Sequence, residues 1–476
     1  MGAAARRLAP TAALLPALLA LNALLALVLI RESVTLAIVV GALPLALIAF
    51  GALVASDRSI LVFAALALPV SFHTLNVALP LPGSKSIYAS DILVALALGS
   101  WAASRLIARA EGRGRRPHRF TPAVLGFPFI AFLLVTLWAA ERGHARYGAS
   151  IFGEPVRLIV YAGIGLALCD VTPAKAYRGI VAVFYAGSLW MLLNTMYLLA
   201  TGGSQTPDTT EALSTGGQRV VSLAVALHLA AALFLSLLNL EIDSSGRRRL
   251  VHLAVSGMST LGILLAFGRG TFAAVAVAVP LLLALAPRTR RTLLGFLPLT
   301  LPIVVAVTIA IGQLAPSVGP TLVRRINVQF IAQGQDASAR WREEANKAIF
   351  RQVDESPLTG VGFGRGAEFT LNGVTYRITQ DPHNSFVWLL AGGGILLLSL
   401  FVLLLVRFAW DVVQRLRAAL PIRERILVAW SALALLSYLV NAVVGPLLSS
   451  PSELLVVWVL LLLPGVVTRP RREQEA

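Results

Sequence analysis

Charge is scarce in this chain. Asp, Glu, Lys and Arg make up 13% of its 476 residues, against 57% hydrophobic. Mean hydropathy is +0.79. A water-soluble domain must present a polar surface, and this composition leaves too little to cover one. Cysteine is almost missing. The single Cys169, at the end of an apolar run, excludes an internal disulfide framework and a multi-cysteine metal site. The sequence also lacks a P-loop, an HExxH helix and any His/Asp cluster at metal-ligand spacing. Segments of roughly ten alternating residues, the mark of a membrane β-barrel, are missing too.

What the chain has instead is long apolar runs. They fall near 11–30, 33–55, 59–79, 90–107, 121–140, 155–170, 179–200, 220–240, 251–267, 271–286, 292–312, 384–406, 425–446 and 451–468. At about 1.5 Å of rise per residue, roughly 20 residues cross a bilayer core. A spanning segment must satisfy its own backbone, so helix is the expected element. The expected fold is all-α, a polytopic transmembrane bundle of about 12 to 14 spans. It forms a single integral membrane domain over residues 1–476. Met1–Ile30, with Arg6 and Arg7 at its start, mimics a signal peptide. No small-residue cleavage site follows, so it reads as an uncleaved first helix.

Basic residues outnumber acidic ones, 40 to 23, for a net charge of +17. In a soluble protein this would suggest nucleic acid. Here the arginines divide among short loops with no aromatic-interleaved patch, which is how membrane topology is set. Membrane lipids are expected partners and nucleic acid is not. Arg6 and Arg7, Arg105–Arg119, Arg247–Arg249, Arg288–Arg291, Arg407–Arg425 and Arg469–Arg472 all go to the cytoplasmic side, with both termini. The run 251–286 is interrupted only by Gly268-Arg269-Gly270. Read as a tight hairpin, it keeps Arg247–Arg249 and Arg288–Arg291 on one side. Its first arm reaches only about 25 Å, so Arg269 at the tip is expected slightly within membrane depth.

The same alternation sends residues 73–91, 141–157, 201–219 and a long connection, 313–383, to the outer face. A connection of that length is usually functional. Ser338–Val353 is amphipathic, with Trp341, Ala345, Ala348 and Ile349 at helical spacing. It predicts a helix on or near the membrane surface, with Trp341 and Phe363 as interfacial anchors. The chain then turns through Ser356–Gly364 and returns at Asp381-Pro382-His383-Asn384-Ser385. Pro382 suits a helix start, and Asn384 or Ser385 can cap one. Gly360–Gly366 follows no strand of a βαβ unit, so it is no dinucleotide fingerprint. Asp57, Asp91 and Asp170 fit helix caps.

Topology thus brings Arg219, Arg269 and His383 to one face. An arginine at membrane depth is costly unless paired or hydrated. Guanidinium binds phosphate through two parallel bonds and stays charged, and histidine accepts a proton near neutral pH. The three suit a group-transfer site around a buried anion. Blander readings stand beside this: Arg219 snorkelling from a helix end, His383 as an interfacial loop histidine. Lys85, Arg142, Arg146 and Arg157 read chiefly as outer surface charge. Of these, Lys85, Arg142 and Arg157 join Arg340 and Asn384 as substrate-binding candidates.

In these motifs the chain resembles the O-antigen ligase and polymerase superfamily of bacterial membrane glycosyltransferases. The resemblance runs from Phe267-Gly268-Arg269-Gly270, through Arg340-Trp341 and Ser356-Pro357-Leu358-Thr359-Gly360-Val361-Gly362-Phe363-Gly364, to His383-Asn384-Ser385-Phe386 and Gly392-Gly393-Gly394. The family's usual pattern has serine where Gly268 stands. Arg219 resembles the family's earlier arginine at a helix start. The resemblance implies a glycan taken from undecaprenyl diphosphate at the periplasmic face of the inner membrane. A ligase passes it to a lipid A–core sugar, and a polymerase to another lipid-linked repeat. It further implies that Arg219 and Arg269 hold the diphosphate, that His383 is the general base or orients the acceptor, and that Arg340 helps place a substrate. Neither cofactor nor metal is expected, and no DxD-like pair lies on an outer loop. The favoured reading is O-antigen ligase. Its close rival is an O-antigen or exopolysaccharide polymerase. A transporter or lipid flippase is the rival from another class, and would need charge near the bilayer midplane and half-helix breaks.

Overall fold

The computed structural model describes residues 59–71, 78–81, 85–110, 126–148, 154–168, 171–201, 221–243, 246–266, 268–291, 295, 337–378 and 383–467. The expected spans at 11–30 and 33–55 lie outside the described residues, as does nearly all of 292–312. So do Arg6, Arg7, Asp57, Cys169, Asp170, Arg219, Pro382 and Arg469–Arg472. Met1–Leu61 is one compact unit and Val62–Ala476 another. Of the first, Ser59–Leu61 alone is described. All the other described residues belong to the second.

Twelve α-helices lie among the described residues. They are α1 Ser59–Ser71, α2 Ala89–Ala110, α3 Phe127–Tyr147, α4 Glu154–Leu168, α5 Pro173–Thr201 and α6 Leu223–Asn239. Then come α7 Gly246–Ala266, α8 Arg269–Leu285, α9 Ala337–Asp354, α10 Ser385–Arg417, α11 Ile422–Ala442 and α12 Pro451–Leu462. Four helices are long and apolar enough to cross a membrane: α5 over Pro173–Tyr197, α7, α10 and α11. Shorter apolar stretches fill α1, α2, α6, α8 and α12. The protein is mostly helical and multi-pass, as its composition requires.

The faces of these helices sort by solvent. Ile130, Leu134 and Leu137 on α3 are exposed, as are Leu189, Leu193 and Met196 on α5 and Leu396, Leu403 and Val406 on α10. Rows of exposed apolar side chains three and four apart would be a sticky patch in water and suit hydrocarbon. Inside, α11 and α12 form the centre, with Trp430, Tyr438 and Trp458 fully buried. The Trp430 Nε1–H donates to the Ala231 carbonyl at 2.8 Å, tying α11 to α6. Glycine lets the helices close up: a Cβ at Gly262 of α7 would lie 2.4 Å from Leu229 Cδ1 of α6.

The break expected at Gly268 is present, between α7 and α8. The returning chain then meets the end of α6. Thr289 N–H donates to Glu241 Oε1 at 2.6 Å, and Thr289 Oγ1–H to the Leu237 carbonyl at 2.8 Å. Arg288 donates to the Glu241 carbonyl at 3.1 Å. Since α7 starts just after this point, Arg247–Arg249 and Arg288–Arg291 sit at the same end of α6, as a hairpin requires.

The expected helical fold also carries two small strand pairs. Two short antiparallel hairpins join the helices: Ala78–Leu81 (β1) with Lys85–Tyr88 (β2), and Ala367–Leu371 (β3) with Val374–Ile378 (β4). Each strand has four or five residues, too short for a strong alternating pattern. The second hairpin changes the reading of the amphipathic helix α9. Ala345, Ala348 and Ile349 of α9 are buried with Phe369 and Ile378 of the hairpin and Val387 of α10, and Trp341 packs on this cluster. The apolar face of α9 is therefore covered by protein.

Candidate active site

Helix α10 is broken at the last residue of its Gly392-Gly393-Gly394 run. Gly394 has φ 70° and ψ −167°, a region open in practice only to glycine. The break frees the carbonyls of Ala391 and Gly392 and the amides of Ile395 and Leu396, and the segment after α9 satisfies all four. Val361 N–H donates to the Ala391 carbonyl at 2.8 Å, and Gly362 N–H to the Gly392 carbonyl at 3.0 Å. In return, Ile395 N–H donates to the Pro357 carbonyl at 2.9 Å, and Leu396 N–H to the Leu358 carbonyl at 3.1 Å. All four buried backbone groups at this break are thereby matched. The approach needs glycine: a Cβ at Gly360 would lie 2.5 Å from Gly394 N, and one at Gly143 of α3 1.9 Å from the Phe363 carbonyl oxygen. The Gly-rich turn is thus spliced into α10 and seated on α3. Arg365 Nη2 at its far end donates to Glu355 Oε1 at 2.8 Å, and this bond holds the Glu355 carboxyl below the usual carboxylate range.

The chain enters α10 at His383-Asn384-Ser385. Asn384 is the cap, its Oδ1 accepting the N–H groups of Phe386 and Val387, both at 3.2 Å. Ser385 Oγ–H donates to the Gly445 carbonyl at 3.2 Å and accepts Leu448 N–H at 3.0 Å. His383 stands one residue before the cap with φ 61°, a left-handed backbone that costs a residue with a Cβ about 1–2 kcal/mol. Its partly buried ring lies edge-on to Trp341, with 5.7 Å between centroids. Trp341 packs in turn on Phe369 and Tyr376, at 5.6 and 6.4 Å. A strained backbone held by packing on one side and a cap on the other is typical of functional positions.

The segment 441–450, the last two residues of α11 and the connection to α12, gathers the ends of several helices. Gly445 and Leu448 hold Ser385 at the start of α10. Val444 and Asn441 lie against Gly270 at the start of α8, where a Cβ would meet Val444 Cγ2 at 2.9 Å. One turn deeper, Tyr438 of α11 bonds His228 of α6 through its hydroxyl. The starts of α6, α8, α10 and α12 therefore meet at one end of the bundle. His383 and the backbone of Arg269 are both there, the latter as the first residue of α8. Val221 and Ser222, which lead into α6, come to the same end. Arg219 itself lies outside the described residues.

The remaining candidates take other places. Arg142 donates through Nη1 to Thr359 Oγ1 at 3.0 Å and to the Gly360 carbonyl at 2.6 Å, and lies over the Trp138 ring. Expected as surface charge, it clamps the Gly-rich turn to α3. Arg157 of α4 reaches Asp91 of α2 at 3.2 Å and lies over the Tyr88 ring. Tyr161 donates to the same carboxylate. Expected as a helix cap, Asp91 lies instead in the first turn of α2, where its Oδ2 reaches back to accept Tyr88 N–H at 2.9 Å. Arg340 is exposed at the first turn of α9. Lys85 stands in β2 opposite Leu81.

Sequence reasoning missed two groups. One is the aromatic shelf of Trp341, Phe369 and Tyr376 beside His383, visible only once β3 and β4 pair. The other is the polar set around the 441–450 turn. Asn441 and Thr271 are buried beside Gly270, and Glu453 is buried at the start of α12, bonded by Ser450 and Ser452. Single polar residues at the ends of apolar runs give no signal of their own. Among the described residues no group of His, Cys, Asp and Glu could hold a metal ion.

No curated protein matches the chain. Residues 254–402 match the O-antigen ligase family model. That segment runs from α7 through the α8 tip, α9, the spliced turn and His383 into α10, so every element that frames His383 except α3 and the 441–450 turn lies within it. Over residues 254–402 this multi-pass membrane protein carries the O-antigen ligase domain, which occurs in both O-antigen ligases and O-antigen polymerases.

Proposed function

We propose that the protein is an O-antigen ligase. It takes polysaccharide from undecaprenyl diphosphate and joins it to a lipid A–core sugar, at the periplasmic face of the inner membrane, with both termini in the cytoplasm. The observation that carries the reading is the gathering of the starts of α8 and α10 on the 441–450 segment, with His383 just before the cap of α10, while Arg269 and His383 both lie within the matched residues 254–402. In this reading the acceptor hydroxyl gives its proton to His383 as its oxygen attacks the anomeric carbon. The bond from that carbon to the diphosphate oxygen breaks, and undecaprenyl diphosphate leaves with the electron pair. Arg269 and Arg219 stabilise the charge that grows on the leaving group, so the step proceeds without a metal. Arg340, exposed on α9, is placed to meet donor or acceptor. Arg142 and Arg157 act through the fold, because their guanidinium groups are engaged with protein.

The polymerase reading shares the same domain and the same chemistry, with a second lipid-linked repeat as acceptor. A lipopolysaccharide gel of a deletion strain, with extraction of undecaprenyl-linked glycan, separates the two. Lipid A–core without polymer, plus accumulated lipid-linked polymer, is the ligase result. Core bearing one repeat and no ladder is the polymerase result. An unchanged ladder with no lipid-linked glycan accumulating would overturn both.

A further inference from the structure

The turn at the start of α8 leaves donors without acceptors among the described residues. Helix α8 begins at Gly268, which has no side chain to cap it. The first bond of the helix runs from Phe272 N–H to the Gly268 carbonyl, at 3.0 Å. The N–H groups of Arg269, Gly270 and Thr271 precede it and have no carbonyl in their own helix. Against this turn lies the amide of Asn441, and a Cβ at Gly270 would sit 3.1 Å from its Nδ2. Asn441 is 1% exposed, and its Nδ2 has no hydrogen-bond partner among the described residues. Thr271, 0% exposed, has an Oγ1 in the same condition.

Neighbouring acceptors are already taken. The Asn441 carbonyl accepts Val444 N–H, the Gly445 carbonyl accepts Leu447 N–H and Ser385 Oγ–H, and the Pro446 carbonyl accepts Ser450 N–H. A buried amide with no partner is costly and calls for something that satisfies it. The Glu453 carboxyl of the same polar set is bonded by Ser450 and Ser452, and a helix N-terminus facing an unmatched buried amide is the chemistry that binds an anion.

We propose that Asn441, with Thr271 and the first turn of α8, is a donor set for the diphosphate of the lipid-linked glycan. The choice of diphosphate rests on the ligase reading. Asn441 would bind a phosphate oxygen directly, as a neutral donor with no charge of its own to desolvate on burial.

The test uses the full chain in phosphatidylcholine nanodiscs, with inorganic pyrophosphate as the probe and thermal unfolding as the readout. Pyrophosphate is expected to stabilise the wild type. Asn441→Ala removes a donor that is unmatched among the described residues, so it should unfold at the same or a higher temperature without pyrophosphate. It should bind pyrophosphate about tenfold or more weakly, as loss of a hydrogen bond to a charged group implies. Asn441→Asp places a carboxylate against the same donors and should abolish the response to pyrophosphate. With lipid-linked donor, Asn441→Ala should raise KM more than it lowers kcat. A lowered basal midpoint with unchanged pyrophosphate affinity would make Asn441 structural and overturn the proposal. Equal stabilisation by orthophosphate, or by phosphatidylglycerol added to the discs, would assign the site to anions or headgroups at large and also overturn it. Pyrophosphate binding that depends on Asn441, in a protein that transfers no glycan, would sink the ligase reading and leave the donor set standing. Glycan transfer unaffected by Asn441→Ala would do the reverse.

Discussion

The edge of the Trp341 indole meets the His383 ring at 75°, with 5.7 Å between centroids. The contact joins α9 to the start of α10, since Trp341 is in the first turns of α9 and His383 is one residue before the cap of α10. The small core of α9, β3 and β4 holds that tryptophan in place. A helix expected on or near the membrane surface is thereby also a support for one imidazole.

Two substitutions at His383 separate its chemistry from its backbone. His383→Ala should abolish glycan transfer while the protein still inserts and folds. His383→Gly should be equally inactive, yet more stable than the alanine variant by about 1 kcal/mol, because glycine adopts φ 61° without strain. Transfer assays at matched expression, with thermal unfolding in detergent, measure both. Normal transfer by either variant would remove the general base.

The spliced turn predicts a large cost at Gly394. Alanine there would bring a Cβ to 2.3 Å from the Leu358 carbonyl oxygen, in a backbone region closed to other residues. Gly394→Ala should destabilise by about 3 kcal/mol or more and release the turn from α10. Limited proteolysis should then cut within 356–366, where the wild type resists. An unchanged digest would mean that the splice is not maintained in the membrane.

Much of this could be read from the residues. Hydropathy located α2 to α8 and α10 to α12 because each must bury a full apolar length, and the arginine clusters forced the α7–α8 hairpin. The spacing of Trp341, Ala345 and Ala348 located α9. What that spacing could not say was which surface covers the apolar stripe, because lipid and a β-hairpin are equally apolar. β3 and β4 stayed hidden because strands of five residues joined by Asn372-Gly373 show little alternation. The pairing of Arg157 with Asp91, 66 positions apart, leaves no trace in sequence, so Arg157 reads there as surface charge and Asp91 as a helix cap.

That pair gives a test of role. Arg157 and Asp91 are mostly buried, with side chains 16% and 19% exposed. Arg157→Ala leaves a carboxylate short of a charged donor and should cost about 1–3 kcal/mol. Arg157→Ala with Asp91→Ala should cost less than the sum of the two single changes. The donor KM of the folded fraction should not change in any of the three. A raised KM in Arg157→Ala that the double variant also shows would restore Arg157 to the substrate.

Asp243 lies in the turn after α6 and accepts His252 Nε2 at 3.0 Å and Arg248 at 3.5 Å. The His252 bond first, then the nearby charges, hold its carboxyl below its ordinary range. A depressed folded value means the contribution is present above the unfolded pKa, near about 3.9, and is lost as pH falls through the lower folded one. Asp243→Asn should therefore be less stable than wild type at neutral pH, with the gap closing below about pH 4. Midpoints of thermal unfolding from pH 3 to 8, on the order of one point per unit, would show this. A gap that persists in acid would assign the loss to packing.

The last prediction concerns what replaces a metal. If arginine carries the charge on the departing diphosphate, geometry matters as much as sign, because guanidinium offers two parallel donors and ammonium offers one point of charge. Arg269 begins α8, so its backbone already adds a helix N-terminus to the same place. Arg269→Lys keeps the charge and the helix and loses only the fork. Transfer should fall about a hundredfold or more, with kcat taking most of the loss, because the fork is needed most when the charge has developed. EDTA should leave the wild-type rate unchanged. Restoration of an EDTA-treated enzyme by magnesium or manganese would give the charge to a metal and demote Arg269 to binding. A lysine variant with wild-type kcat would do the same without any metal, since it would show that charge alone suffices.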